Sequence, residues 1–144
     1  MGNIYNDPND NIHVATDKAV ILTLDDDENI RLLLSAFLGR KYEVVALEDG
    51  LAGMSWLYQG NLPDLIIVDI DMPKLNGYEF LKNVHFSGFF GHIPIIMLSG
   101  MDQKEIKARC LNSGASAFLV KPFNPEEILS TIESVLEQNK RTLV

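Results

Sequence analysis

The chain has 144 residues, of which 47% are hydrophobic and 22% charged, and its formal net charge is −8. That length suits one domain with a real core, and the acidic balance argues against nonspecific binding to nucleic acid or to an anionic membrane surface. Cys110 is the single cysteine, which excludes an intrachain disulfide and a zinc cluster built from thiolates.

The N-terminus lacks the basic start and apolar block of a signal peptide, and no apolar run approaches the roughly 20 residues of a membrane span. The cytoplasm is therefore the default location. Residues 1–17 are polar, with Asn3, Asn6, Asn9 and Asn11 among Asp7, Pro8 and Asp10; they read as a flexible tail.

From Ala19 the text alternates between short apolar runs and segments of helical spacing. AVILTL (19–24) is a short apolar run, suited to a buried strand. Ile30, Leu33, Leu34, Phe37 and Leu38 then recur at helical spacing, with Asp26 or Asp27 as cap and Gly39 as stop. EVVAL (43–47) is the second strand, and Leu51, Met54, Leu57 and Tyr58 mark the second helix, closed near Gly60. DLIIVD (64–69) is the third strand, and Gly77 opens a helix with Leu81 and Val84 on its inner face.

IIMLS (95–99) is the fourth strand. Asp102 and Glu105 have the spacing of a capping box, and Gly114 ends the helix that follows. AFLV (117–120) is the fifth strand. Asn124, Pro125, Glu126 and Glu127 start the last helix, whose stripe is Ile128, Leu129, Ile132, Val135 and Leu136. Short apolar strands alternating with helices predict an α/β fold, a doubly wound five-stranded parallel sheet of order 2-1-3-4-5, flavodoxin-like in plan.

In such a sheet the carboxyl ends of all strands share one edge, where ligands bind. The first strand ends in Asp25 and Asp26, the third in Asp69, the fourth in Ser99 and the fifth in Lys121 and Pro122. Three carboxylates brought together call for a cation, and oxygen donors suit magnesium or manganese. Lys121 and Ser99 add an ammonium and a hydroxyl, so the edge describes a pocket for one phosphoryl group. The four consecutive acids 25–28 divide between metal and helix dipole, since Asp27 and Glu28 enter the first turn of a helix.

Residues 19–140 resemble the receiver domain of two-component response regulators, the CheY-like family. The matching text is LDDDEN, VDIDMPKLNGYEFL, IIMLSG and GASAFLVKPF. The resemblance implies a receiver domain over 18–140, with 141–144 as its end or the start of a linker. It implies Asp69 as acceptor of a phosphoryl group from a histidine kinase or a histidine phosphotransfer protein. It also implies Asp25 and Asp26 as magnesium ligands, joined by the backbone carbonyl of Asp71. Ser99 and Lys121 would contact phosphoryl oxygens, the Lys121–Pro122 peptide would be cis, and Gly77 would let the loop after Asp69 turn tightly. Ser99 and Phe118 would form the switch, moving the face of the fourth helix, fifth strand and fifth helix, through which a homodimer or a downstream target would bind. Ser99 stands where Thr is frequent, which keeps the hydroxyl. Phe118 stands where Tyr is frequent, which keeps the ring but loses the phenol.

Two other readings compete. Asp69-Ile70-Asp71 is a D-x-D after an apolar strand, as in haloacid-dehalogenase-type phosphatases, although Pro73 departs from that pattern and little chain is left for a cap segment. An interaction module that never reacts is the third reading, opposed by the complete set Asp25, Asp26, Asp69, Ser99 and Lys121. Beyond self-phosphorylation and self-dephosphorylation, no enzyme activity is expected. His13, His85 and His92 lie off the predicted edge, and Cys110 reads as a packing residue. The aromatic run FSGFF (86–90) is a partner patch only if Phe89 and Phe90 are exposed.

Overall fold

In a computed structural model of the chain, residues 4–6, 12–14, 18–101 and 104–143 are described. From Val20 onward the alternation of short apolar runs with period-3.6 segments becomes five strands and five helices. These are β3 (Val20–Leu24), α1 (Glu28–Leu38), β4 (Glu43–Leu47), α2 (Gly50–Tyr58), β5 (Leu65–Asp69), α3 (Gly77–His85), β6 (Ile95–Ser99), α4 (Lys104–Asn112), β7 (Ala117–Val120) and α5 (Pro125–Leu143). Two short strands precede them, β1 (Ile4–Asn6) and β2 (Ile12–Val14).

The large sheet runs β4-β3-β5-β6-β7 with every pairing parallel. Counted from β3 this is the expected order 2-1-3-4-5, and the switch in direction lies between β3 and β5. Neighbouring side chains along each strand point to opposite faces, which sorts the core into two halves. Leu22, Leu24, Ile66 and Val68 pack with Leu57, Phe80, Leu81 and Val84 of α2 and α3. Ile21, Ile67, Ile96 and Leu98 pack with Leu34, Leu38, Ile128 and Ile132 of α1 and α5. Cys110 is buried in the first half, as a packing residue would be.

Local chemistry sets the helix ends. Asp27, not Asp26, caps α1: its side chain accepts from the N–H of Asn29 and Ile30. Asp49 caps α2 and Asn76 caps α3 in the same way. After α2 and α4 the chain turns through Gly60 (φ 97°) and Gly114 (φ 108°), where a Cβ would be strained. Gly39 follows α1 with an ordinary right-handed φ of −63°, so its left-handed freedom is not used.

Several expectations need correction. Within 1–17, read as a flexible polar tail, β1 and β2 pair antiparallel, Ile4 opposite Val14 and Asn6 opposite Ile12. β-formers flanking DPNDN (7–11) are a hairpin signal that the abundance of Asn obscured; the rest of that segment lies outside the described residues. Leu33, Leu51 and Tyr58, which mark their helices by spacing, are exposed. The outer strands β4 and β7 are mostly half-buried, unlike the fully buried β5 and β6. Asp102 of the expected capping box lies outside the described residues.

Candidate functional site

β3 and β5 are neighbours whose register pairs Leu24 with Val68, so their next residues, Asp25 and Asp69, leave the sheet side by side. β6 pairs Leu98 with Asp69, and Ser99 pairs with Val120 of β7. The parallel register thus delivers all four strand tips to one place.

Carboxylate oxygens of Asp25, Asp26 and Asp69 lie within 4.8 Å of one another. Asp25 and Asp69 are buried, whereas Asp26 faces water. Lys121 reaches in from the end of β7: its Nζ lies 2.8 Å from Asp25 Oδ2 and 3.2 Å from Asp69 Oδ1. The backbone on which it stands is fixed by its own N–H, which donates to the Ser99 carbonyl at 2.7 Å, and the Lys121–Pro122 peptide is cis.

Asp25 is held at every polar atom. Its Oδ1 accepts from the N–H of Asp27 at 2.9 Å, its carbonyl accepts from Arg31 Nη1 at 2.8 Å, and its N–H donates to the Leu47 carbonyl at 3.2 Å. A buried carboxylate whose oxygens are already engaged is a preset ligand with little freedom left to lose.

One ammonium does not balance three carboxylates. Burial pushes the Asp69 carboxyl up to about 6, and the charge of Asp25 pushes the same way; Lys121 pulls it down and loses. For Lys121 burial disfavours the charged form, but the hydrogen bond to Asp25 and the charges of Asp69 and Asp25 outweigh it, so its pKa is raised. The site carries surplus negative charge, and its donors are all oxygens. That combination fits a hard divalent cation such as Mg2+ or Mn2+.

Ser99 is buried at the tip of β6, and its hydroxyl is already engaged. It donates to the Met101 carbonyl at 3.1 Å and accepts from the Met101 N–H at 3.0 Å. Sequence reasoning placed Ser99 in the site but gave no sign of this local occupation. Phe118 is half-buried in β7, opposite Met97 in register. Asp71 is exposed in the loop between β5 and α3. Gly77 closes that loop: a Cβ there would lie 2.2 Å from the Asp69 carbonyl oxygen, so only glycine fits.

His85 and His92 are exposed at the opposite edge of the sheet, away from the carboxylates. In the FSGFF run Phe90 is buried while Phe86 and Phe89 are 74% and 69% exposed, so the exposure that a partner patch requires is present at Phe89 and absent at Phe90. Phe90 instead serves as a core ring, contacted edge-on by Tyr58 and Phe89.

Known proteins share this arrangement. Residues 21–133 match the response regulator receiver domain family. The fold is similar to that of the chemotaxis response regulator CheY4 of Vibrio cholerae, at a TM-score of 0.75 and 37% identity, covering 82% of this chain and 98% of that one. The sequence is 33% identical over 121 residues to the alkaline phosphatase synthesis transcriptional regulatory protein PhoP of Bacillus subtilis, covering 83% of this chain and 49% of the relative. It is 32% identical over 125 residues to histidine kinase P4 of Formosa agariphila, covering 87% of this chain but 9% of the relative. The chain spans about half or less of the length of such curated relatives. With five parallel strands in the order of a CheY-like receiver and this family match over most of its length, the chain belongs to the response regulator receiver domains of two-component signalling.

Proposed function

We propose that residues 18–140 act as a phosphorylation-controlled switch, with Asp69 as the residue that takes the phosphoryl group from a histidine of a kinase or phosphotransfer protein. The observation that carries this reading is the position of Lys121 Nζ, at hydrogen-bond distance from both Asp25 and Asp69 at the half-buried tip of β7. Asp25, Asp26 and Asp69, with the backbone carbonyl of Asp71, would hold Mg2+ or Mn2+. The cation would neutralise charge on the phosphoryl oxygens.

The chain's own groups do the rest. A carboxylate oxygen of Asp69 forms the new P–O bond as the P–N bond to the donor imidazole breaks, and the imidazole leaves with the electron pair. Lys121 pairs with a phosphoryl oxygen, drawn from its contact with Asp69. Ser99 gives up its two bonds to Met101 and turns its hydroxyl to another phosphoryl oxygen. Phe118 follows into the vacated space and changes the face formed by α4, β7 and α5. That face would meet the downstream target or a second copy of the chain. A cytoplasmic location, where the donor kinase domains would reach Asp69, is part of the same reading. Among the described residues no helix is long and apolar enough to cross a membrane.

Incubation with MgCl2 and acetyl phosphate tests the reading. The expected result is a mass gain of one phosphoryl group, absent in Asp69→Ala and absent when EDTA is added first. Steady hydrolysis of a phosphate ester with no gain in protein mass would instead indicate a D-x-D phosphatase; no reaction at all would indicate an interaction module.

A further inference from the structure

The loop between β5 and α3 carries Asp71, whose carbonyl the proposed function assigns to the cation. Both ends of this loop are fixed: the Gly77 N–H donates to the Ile70 carbonyl at 2.9 Å, and Gly77 sits against the Asp69 carbonyl. Its middle is held from a different element. Lys74 adopts φ 65°, a left-handed conformation that a residue with a Cβ takes at a cost. In that conformation Lys74 Nζ lies 3.5 Å from Asp49 Oδ2.

Asp49 has one oxygen for each of two tasks. Oδ1 accepts from the Ala52 N–H at 2.8 Å and caps α2, and Oδ2 faces Lys74. Its side chain is 6% exposed while that of Lys74 is 60% exposed, so the buried carboxylate depends on the lysine more than the reverse. The backbones also touch here: a Cβ on Gly50 would lie 2.4 Å from the Leu75 carbonyl oxygen. The loop is therefore seated on the first turn of α2, and the ion pair offsets part of the cost of the left-handed Lys74 backbone.

We propose that Lys74 and Asp49 form a latch that positions the β5–α3 loop for cation binding and ties the start of α2 to the state of the site. Both are positioning residues, acting through the Asp71 backbone. The inference rests on the reading of Asp25, Asp26 and Asp69 as a divalent-cation site.

The test is calorimetric titration of the full chain with MgCl2, for the parent, Lys74→Gln, Lys74→Arg, Asp49→Asn and the double variant that combines Lys74→Gln with Asp49→Asn. Lys74→Gln keeps the backbone cost and removes the charge; Asp49→Asn keeps the cap. Outer groups that orient metal ligands typically change affinity by about 10–100-fold; with Lys74 exposed, the low end is expected, about tenfold weaker for each single variant. The double variant should be no weaker than either single one, because the two residues act as a unit, and Lys74→Arg should stay within about twofold of the parent. A second readout follows from reciprocity between linked sites: the Ala52 amide resonance should shift on adding MgCl2 to the parent and stay fixed in Lys74→Gln. A parent that binds Mg2+ and a Lys74→Gln variant that binds it equally well would overturn the latch alone. A parent with no Mg2+ affinity would overturn the cation site and the latch together.

Discussion

Along β5, Leu65 to Val68 are at most 1% exposed, and Asp69, the next residue, is 4% exposed. Burial is nearly equal and its consequence is opposite. Each aliphatic side chain in the middle stabilises the fold by about 1.5–3 kcal/mol relative to exposure. The carboxylate at the tip is pushed toward its neutral form by that same burial. The middle of the sheet supplies stability and the tip loses some of it, because the carboxylate there is kept dry, crowded and incompletely balanced. Enough is gained in the strand interiors to hold a repulsive charge cluster at their ends.

Substitutions can break this contrast from either side. The largest change in stability is expected in the middle. Phe80 is fully buried against both the β3–β5 core and Gly53, so Phe80→Ala should cost about 3–5 kcal/mol. Urea titration measures it, and a loss below about 1 kcal/mol would mean that the core collapses around the gap.

At the tip the sign reverses. Asp69 rises from 3.8 to about 6 on folding, so the native state binds the proton more tightly than the unfolded chain. Its cost to the cation-free protein is absent below about pH 3.8, grows between 3.8 and 6, and is complete above 6. Asp69→Asn should therefore stabilise the cation-free protein by about 2–3 kcal/mol at pH 7.5, since each pKa unit is about 1.4 kcal/mol. It should also flatten the stability profile between about pH 4 and 6 relative to the parent. Adding MgCl2 should close the gap by stabilising the parent more than the variant. An unchanged midpoint in denaturant titrations across that range would contradict this account of the site.

The smallest effect sharpens the comparison within one strand. Thr23 and Asp25 both lie on β3 or its tip and both are buried. Asp25 has partners at each oxygen, whereas the Thr23 hydroxyl has none among the described residues. Thr23→Val removes an unpaired polar atom at nearly constant shape and should stabilise by about 1 kcal/mol. A loss of stability would reveal a partner for that hydroxyl.

Much of this was legible in the text because the relevant signals are local. Short apolar runs and period-3.6 apolar patterns, punctuated by Asp27, Gly60 and Gly114, define elements without reference to anything distant. Asp25, Asp69, Ser99 and Lys121 could be placed at one edge once the sheet was taken as parallel, since each ends an apolar run. The misreadings have two causes. Leu33, Leu51 and Tyr58 obey the helical spacing yet face water, because periodicity finds a stripe but not its width, which the neighbouring element decides. Asn-rich composition hid the short ladder of β1 and β2, whose few residues carry too little pattern to outweigh it.

The order of elements and the residue types delivered to the strand tips are written locally, for they depend on neighbours within a few positions. Packing set the rest: Ser99 is engaged by Met101, Lys121 bridges Asp25 and Asp69, and Lys74 reaches across to Asp49. Those contacts join residues on different elements, or depend on a side-chain rotamer, and their distances are set by how strands and helices pack rather than by spacing along the chain.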